Sequence, residues 1–212
     1  MRSRFPDPRQ APPDAPLAVG SDLSPNTLVD AYQHGIFPWP YGGEVWWWSP
    51  DPRAVVPLDG LHVSRSLRRT LASGRLTAGP ARDFTAVVRA CADRPGEGTW
   101  ITPGMVVAYE RLHRLGLAHA VEVRDRGGAL VGGIYGVALG GAFMGESMFH
   151  RTPDASKVAM VELVARLRAG GFALFDAQLP TSHLASMGAQ TVSRDRYLDA
   201  LEAALQLSAS FR

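Results

Sequence analysis

"AHAVEVRDRGGALVGGIYGVALGGAFMGESMFH", residues 118–150, decides the fold class. Its segments "AHAVEVR" (118–124), "ALVGGIYGVAL" (129–139) and "AFMGESMFH" (142–150) alternate or run apolar over strand lengths. The intervening "DRGG" and "GG" are glycine turns that reverse a chain sharply. The spacing predicts a three-stranded antiparallel meander. Downstream, "DASKVAMVELVARLRAGG" has helical periodicity and a glycine stop, "FALFDAQL" reads as a short strand, and "SRDRYLDALEAALQL" as an amphipathic helix. The order β-β-β-α-β-α makes this part of the chain an α+β domain.

Upstream, "SDLSPNTLVDAYQHG" is a helix with Ser24 as N-cap, Pro25 at the first helical position and Gly35 as terminator. It leads into an aromatic loop, "IFPWPYGGEVWWWSPDPRAV" (36–55). In the helix "SRSLRRTLASG", Arg65, Arg68 and Arg69 stand at i, i+3 and i+4 and share one face. "RDFTAVVRACAD" and "TPGMVVAYERLHRLG" are two more helices, separated by "RPGEGTW". A boundary near residue 80 then gives a flexible leader (1–16), an N-terminal domain (17–80) and the α+β domain (81–212). Within "EVWWW", strand alternation sends Trp46 and Trp48 to one side and Trp47 to the other, so at most two of the three can face one ligand.

With 212 residues, 46% of them hydrophobic, the chain can fill a substantial core. The net charge is only +2, but the 22 basic residues are 21 arginines and Lys157. Arginine holds phosphate or carboxylate in planar, bidentate contacts, although so strong a bias also reads as a habit of genome composition. A single cysteine, Cys91, excludes an intrachain disulfide and a paired thiolate metal site, and the six histidines are scattered. No metal site is expected. The first sixteen residues are polar and proline-rich, and no stretch approaches the roughly 18 apolar residues of a membrane span. The expectation is a soluble cytoplasmic protein with no membrane contact.

Three motifs fail on context. The glycines of "GGIYGVALGG" lie along strands rather than at a strand-to-helix turn that could cradle a nucleotide. "GESMF" places Ser147 like a nucleophile elbow but lacks the closing glycine. "RDRGGA" has the spacing of the pyrophosphate loop of acetyl-CoA-dependent acetyltransferases, yet it is a hairpin turn and opens no helix. What remains is a set of polar residues in apolar strands. Asp176 and Gln178 in "LFDAQ" are two apart and share a face, as do Met144, Glu146 and Met148 in "FMGESMF". A carboxylate there is costly unless paired or hydrogen-bonded, so these are acid/base groups of a site or satisfied structural hydrogen bonds; the spacing fits both.

The segments "GSDLSP", "AYQHGIFPWP", "WWSPDPR", "EGTWIT", "AYERLHRLG", "VGGIYGV", "GESMF", "ASKVAM" and "DAQ…HLASMGA" together resemble the leucyl/phenylalanyl-tRNA–protein transferase family, in order, over roughly residues 17–200. The resemblance implies an aminoacyltransferase that moves leucine or phenylalanine, sometimes methionine, from aminoacyl-tRNA to the α-amine of proteins beginning with arginine or lysine, creating a degradation signal. It implies a small N-terminal α/β domain ahead of a C-terminal domain similar to the acyl-CoA N-acyltransferases (GNAT-like), with a central, mostly antiparallel sheet. It also implies no cofactor, neither metal nor CoA, and a monomer whose partners are leucyl-tRNA, phenylalanyl-tRNA and the acceptor proteins.

Carried over residue by residue, the family pattern assigns the peptide-forming step to Asp176 and Gln178, with Asp176 orienting Gln178 toward the attacking amine, and gives Glu146 to the acceptor's cationic side chain or amine. Ile134, Met148, Leu163 and Phe175 match the donor side-chain pocket, where unbranched methionine adapts to both donors. Trp39 and Trp100 match the platform for the terminal adenosine, and Arg65, Arg68 and Arg69 the basic helix that meets tRNA phosphates. That moves base stacking away from Trp46, Trp47 and Trp48, which are left as packing between the N-terminal part and the catalytic sheet. Arg124 stands where a tryptophan is common in the family. The rival readings are an acyl-CoA-dependent N-acetyltransferase and a tRNA-binding module without chemistry.

Overall fold

The computed structural model of the chain describes residues 3–94 and 98–211. A three-stranded antiparallel sheet, order β1-β3-β2, is built from β1 (Ala18–Gly20), β2 (Phe37–Tyr41) and β3 (Glu44–Trp48). A seven-stranded sheet, order β10-β4-β9-β8-β7-β6-β5, follows from β4 (Arg53–Val55), β5 (Leu76–Pro80), β6 (Ala118–Asp125), β7 (Leu130–Leu139), β8 (Ala142–His150), β9 (Leu174–Gln178) and β10 (Gln190–Val192). Only its β8–β9 pair is parallel. That pair is joined through helix α5 (Ala155–Ala169), the crossover a parallel connection requires. The chain is thus α+β with a central, mostly antiparallel sheet.

Helices α1 (Pro25–Gln33), α3 (Phe84–Ala92), α4 (Pro103–Arg114) and α7 (Arg194–Leu205) contribute to one hydrophobic core, which includes Tyr32, Val87, Tyr109 and Leu201. Helices α2 (Arg65–Ala72), α5 and the short α6 (Ser182–Ser186) contribute to a second, which includes Leu67, Leu163 and Leu184. Ser24 caps its helix as expected, accepting from the Thr27 amide, and Ser64 and Ser193 likewise accept from the amides of Leu67 and Arg196.

The meander lies at 118–150 as expected, but three other expectations need correction. The aromatic stretch 36–55 is a hairpin and not a loop: β2 and β3 pair around Gly42 and Gly43, both at positive φ. Pro38 and Pro40 argue against a strand, and β2 tolerates them because it is the outer strand of its sheet. Nor does hydrogen bonding break near residue 80. β4 and β5 already belong to the large sheet, and the two sheets divide between Trp48 and Arg53. Finally, the described part of the leader is tied to the body. The Arg4 amide donates to Asp30, Phe5 packs against Trp47, Arg9 pairs with Asp195 and Asp199, and the Arg194 guanidinium donates to the carbonyls of Ala11, Pro12 and Ser49.

Strand β3 shows the anticipated alternation. Val45 and Trp47 are buried in the first core, while Trp46 and Trp48 are half-buried on the other face.

Candidate active site

The parallel strands β8 and β9 bring three polar side chains together inside an apolar sheet. Asp176 is fully buried, and its partner is Arg53, a residue the sequence did not single out. Arg53 donates from Nε to Oδ1 at 2.9 Å and from Nη2 to Oδ2 at 2.7 Å, a bidentate pair, while its Nη1 donates to the carbonyl of Gly35 at 3.0 Å. The guanidinium lies between the rings of Phe37 and Tyr197, 4.9 and 4.4 Å from their centroids. Tyr197 donates its hydroxyl to Asp176 Oδ2 at 2.8 Å. Gly35 matters twice: φ is +72°, and a Cβ there would stand 2.6 Å from Leu198, so glycine alone presents this carbonyl to Arg53.

Asp176 reaches Gln178 through the backbone: the Gln178 amide donates to Oδ1 at 2.8 Å. Gln178 has φ of +63°, which interrupts the strand alternation and turns its side chain toward Glu146. Its Nε2 donates to Glu146 Oε1 at 2.8 Å, and Tyr109 donates to Oε2. The Tyr109 hydroxyl is in turn 2.7 Å from that of Tyr32. Every partner of Glu146 is neutral. Burial pushes its pKa up to about 7; the hydrogen bonds from Tyr109, Tyr32 and Gln178 pull it down, and the nearby Asp176 charge adds to the rise.

Glu146 and Gln178 form part of the wall of a cavity of ≈ 580 Å³ whose other walls are mainly apolar. Ile134, Met148 and Phe175 line it, together with Met160, Ala177 and Leu184. Trp39 and Trp100 also line it, stacked on each other with centroids 5.2 Å apart and planes 19° from parallel. No base fits between rings at that spacing, so a base would stack on an outer face of the pair.

The sequence profile described as leucyl/phenylalanyl-tRNA protein transferase matches residues 55–202, and the profile of that enzyme's N-terminal domain matches residues 21–51. The chain belongs to this transferase family. A leucyl/phenylalanyl-tRNA–protein transferase from Anaeromyxobacter dehalogenans (strain 2CP-C) is 54% identical over 95% of this chain and 88% of its own. One from Pseudomonas putida (strain ATCC 47054) is 53% identical over 87% and 83%. Among solved structures, L-PGS from Bacillus licheniformis aligns at 13% identity with a TM-score of 0.46, over 76% of this chain and 54% of that one. A GCN5-related N-acetyltransferase from Kribbella flavida aligns at 12% and 0.42, over 80% and 61%.

Of the residues matched to the transferase family pattern, Glu146, Gln178, Trp39, Trp100, Ile134, Met148 and Phe175 meet at this one cavity. Two do not line it. Leu163 is fully buried in the core beneath α5, and Met160, one helical turn nearer the cavity, lines the wall instead. Asp176 sits behind the wall, closed off by Arg53 and Tyr197. Arg65, Arg68 and Arg69 are exposed on α2 and take no ion-pair partner among the described residues. Arg124 lies away from the cavity and pairs with Glu122 at 2.8 Å. Glu97 of "EGTWIT" falls outside the described residues. Among those residues there is no group of three or more potential metal ligands, and no helix is long and apolar enough to cross a membrane.

The residues missed from sequence were Arg53, Tyr109, Tyr197 and Met160. Arg53 had one weak signal, a charged residue opening the apolar run "RAVV".

Proposed function

We propose that the chain transfers leucine or phenylalanine, and sometimes methionine, from aminoacyl-tRNA to the α-amine of proteins that begin with arginine or lysine. The observation that carries this reading is the apolar cavity with Gln178 and Glu146 in its wall and the Trp39–Trp100 pair beside them. An apolar pocket separates large aliphatic and aromatic donors only weakly, about 1–3 kcal/mol per methylene, which suits a broad donor range. Arg65, Arg68 and Arg69 then supply sequence-independent phosphate contacts for the tRNA.

In the reaction, a neutral amine attacks the ester carbonyl; the C–N bond forms, the ester C–O bond breaks, and the ribose oxygen leaves with a proton. Nε2 of Gln178 is committed to Glu146, so Oε1 is left to accept an N–H of the amine. Glu146, with a pKa near neutrality, accepts the proton that the amine loses and returns it to the departing ribose oxygen. Asp176 touches neither substrate. It is a positioning residue that fixes the Gln178 backbone while Arg53 fixes Asp176. The protein acts as a cytoplasmic monomer.

Labelled leucyl-tRNA, incubated with a peptide beginning with arginine and with the same peptide acetylated at its α-amine, tests the reading. Label passes to the free peptide only. Acetyl transfer from acetyl-CoA with no leucyl transfer would overturn it.

A further inference from the structure

A second cavity of ≈ 440 Å³ adjoins the first, and the two share Arg94, Met148 and His183. Its polar lining is Arg94, His150, Ser156 and His183, with Asp93 as the one carboxylate. These side chains come from separate elements: the end of β8 supplies His150, the first turn of α5 supplies Ser156, and α6 supplies His183. The family segments "ASKVAM" and "HLASMGA", which give Met160 and Leu184 to the first cavity, thus also give Ser156 and His183 to the second.

The polar groups here are weakly satisfied: Arg94 keeps only 3.4 Å contacts to the Cys91 carbonyl and to Ser147 Oγ. His183 Nε2 is buried without a hydrogen-bond partner. Ser156 is buried at 4% exposure, and its Oγ reaches only His150 Nδ1, at 3.5 Å. Asp154 precedes α5 without a side-chain cap; the Ala155 and Val158 amides donate to the carbonyls of Thr152 and Asp154, and the positive end of the helix dipole lies beside Ser156. Lys157, next to Ser156, is near enough for its charge to act on His183, whose pKa burial chiefly lowers. The carboxylate of Asp93 is 3.5 Å from Arg151 and is thereby partly neutralised. Arg94, the unpartnered His183 nitrogen and the Ser156 hydroxyl, with the Lys157 charge nearby and the single carboxylate engaged, fit an anion with several acceptor oxygens.

We propose that this second cavity binds the phosphodiester on the 5′ side of the donor's terminal adenosine. The proposal rests on the transferase reading above. With the aminoacyl group in the apolar cavity and adenine on the tryptophan pair, the 5′ side of the ribose is left to run along the shared wall at Arg94 and His183 toward Ser156 and Lys157.

The test compares phenylalanyl-adenosine with its 5′-phosphorylated form as donors to a peptide beginning with arginine. In the unaltered protein the 5′-phosphate raises kcat/KM roughly tenfold, mainly through KM. His150→Ala/Lys157→Ala and, separately, Ser156→Ala lose most of that gain and keep transfer from the unphosphorylated donor within about twofold. Lys157→Ala alone, at a partly exposed position, loses part of it. A phosphate gain retained in all three variants overturns the proposal. So does an equal loss on both donors, or a loss that tracks the KM of the peptide, which would give the cavity to the acceptor. No transfer by the unaltered protein from either donor, or from intact leucyl-tRNA, would instead remove the transferase reading itself.

Discussion

Asp176 and Glu146 are carboxylates on adjacent strands of one sheet, both more than nine-tenths buried, yet they sit in opposite electrical surroundings. Asp176 faces a guanidinium that binds both of its oxygens, while Glu146 faces two phenols and an amide. The first arrangement fixes a charge in place. The second has only neutral hydrogen-bond partners, and burial raises its pKa to about 7. One step across a sheet thus separates a carboxylate held by a guanidinium from one held by neutral groups, and the difference lies in the partner rather than in the acid.

The strongest way to break this contrast is to remove one half of the anchor. Asp176→Ala leaves the Arg53 charge buried and unpaired, which costs about 3–5 kcal/mol, so the expected result in urea unfolding is a large loss of stability together with activity. Arg53→Met/Asp176→Leu restores most of the stability without restoring transfer. A folded, fully active Asp176→Ala protein would show that the pair anchors nothing.

Next comes Glu146→Gln, which keeps the shape and removes the titration. Transfer falls by about 100-fold or more, the scale of a lost general base, and the limb of the kcat/KM profile near pH 7 disappears. The sign for stability follows from the raised pKa. The folded state holds this proton between the ordinary glutamate range and about 7, so Glu146 favours folding most at low pH, and its contribution declines as pH rises through that window. In Glu146→Gln the decline is absent, which unfolding curves at pH 5 and pH 8 measure directly.

Trp39→Ala and Trp100→Ala act on donor binding and leave both carboxylates alone. Each raises KM for aminoacyl-tRNA by an amount equivalent to about 1–3 kcal/mol of stacking. Because the two rings stack on each other, the double variant costs less than the sum of the singles. The smallest effect is at α2. Arg68→Glu/Arg69→Glu flattens the dependence of log K for tRNA on log salt by roughly 0.9 for each phosphate that is no longer neutralised, with the pH profile unchanged.

Long elements with a clear period were legible in the sequence: β6, β7, β8, α5 and α7 lie where strand alternation and helical periodicity put them. Ile134, Met148 and Phe175, matched through the family pattern, stand on neighbouring strands and line one cavity. Arg53 was not, because β4 has three residues, too few to show a period, and its partner is 123 positions away. The left-handed turn at Gln178 was equally hidden. Strand alternation predicts that Asp176 and Gln178 share a face, whereas the backbone twists so that one residue is sealed in and the other reaches the cavity. Leu163 failed for a different reason: on a helix packed over a sheet, one turn decides whether a side chain meets a cavity or the core.

The scarcity of lysine has a practical consequence. Of 22 basic side chains only Lys157 carries an ε-amine, and it is adjacent to Ser156 in the wall of the second cavity. Apart from the α-amine, an amine-directed fluorophore therefore has a single point of attachment on the whole surface. A dye placed there, without mutagenesis, reports occupancy of that cavity through its brightness.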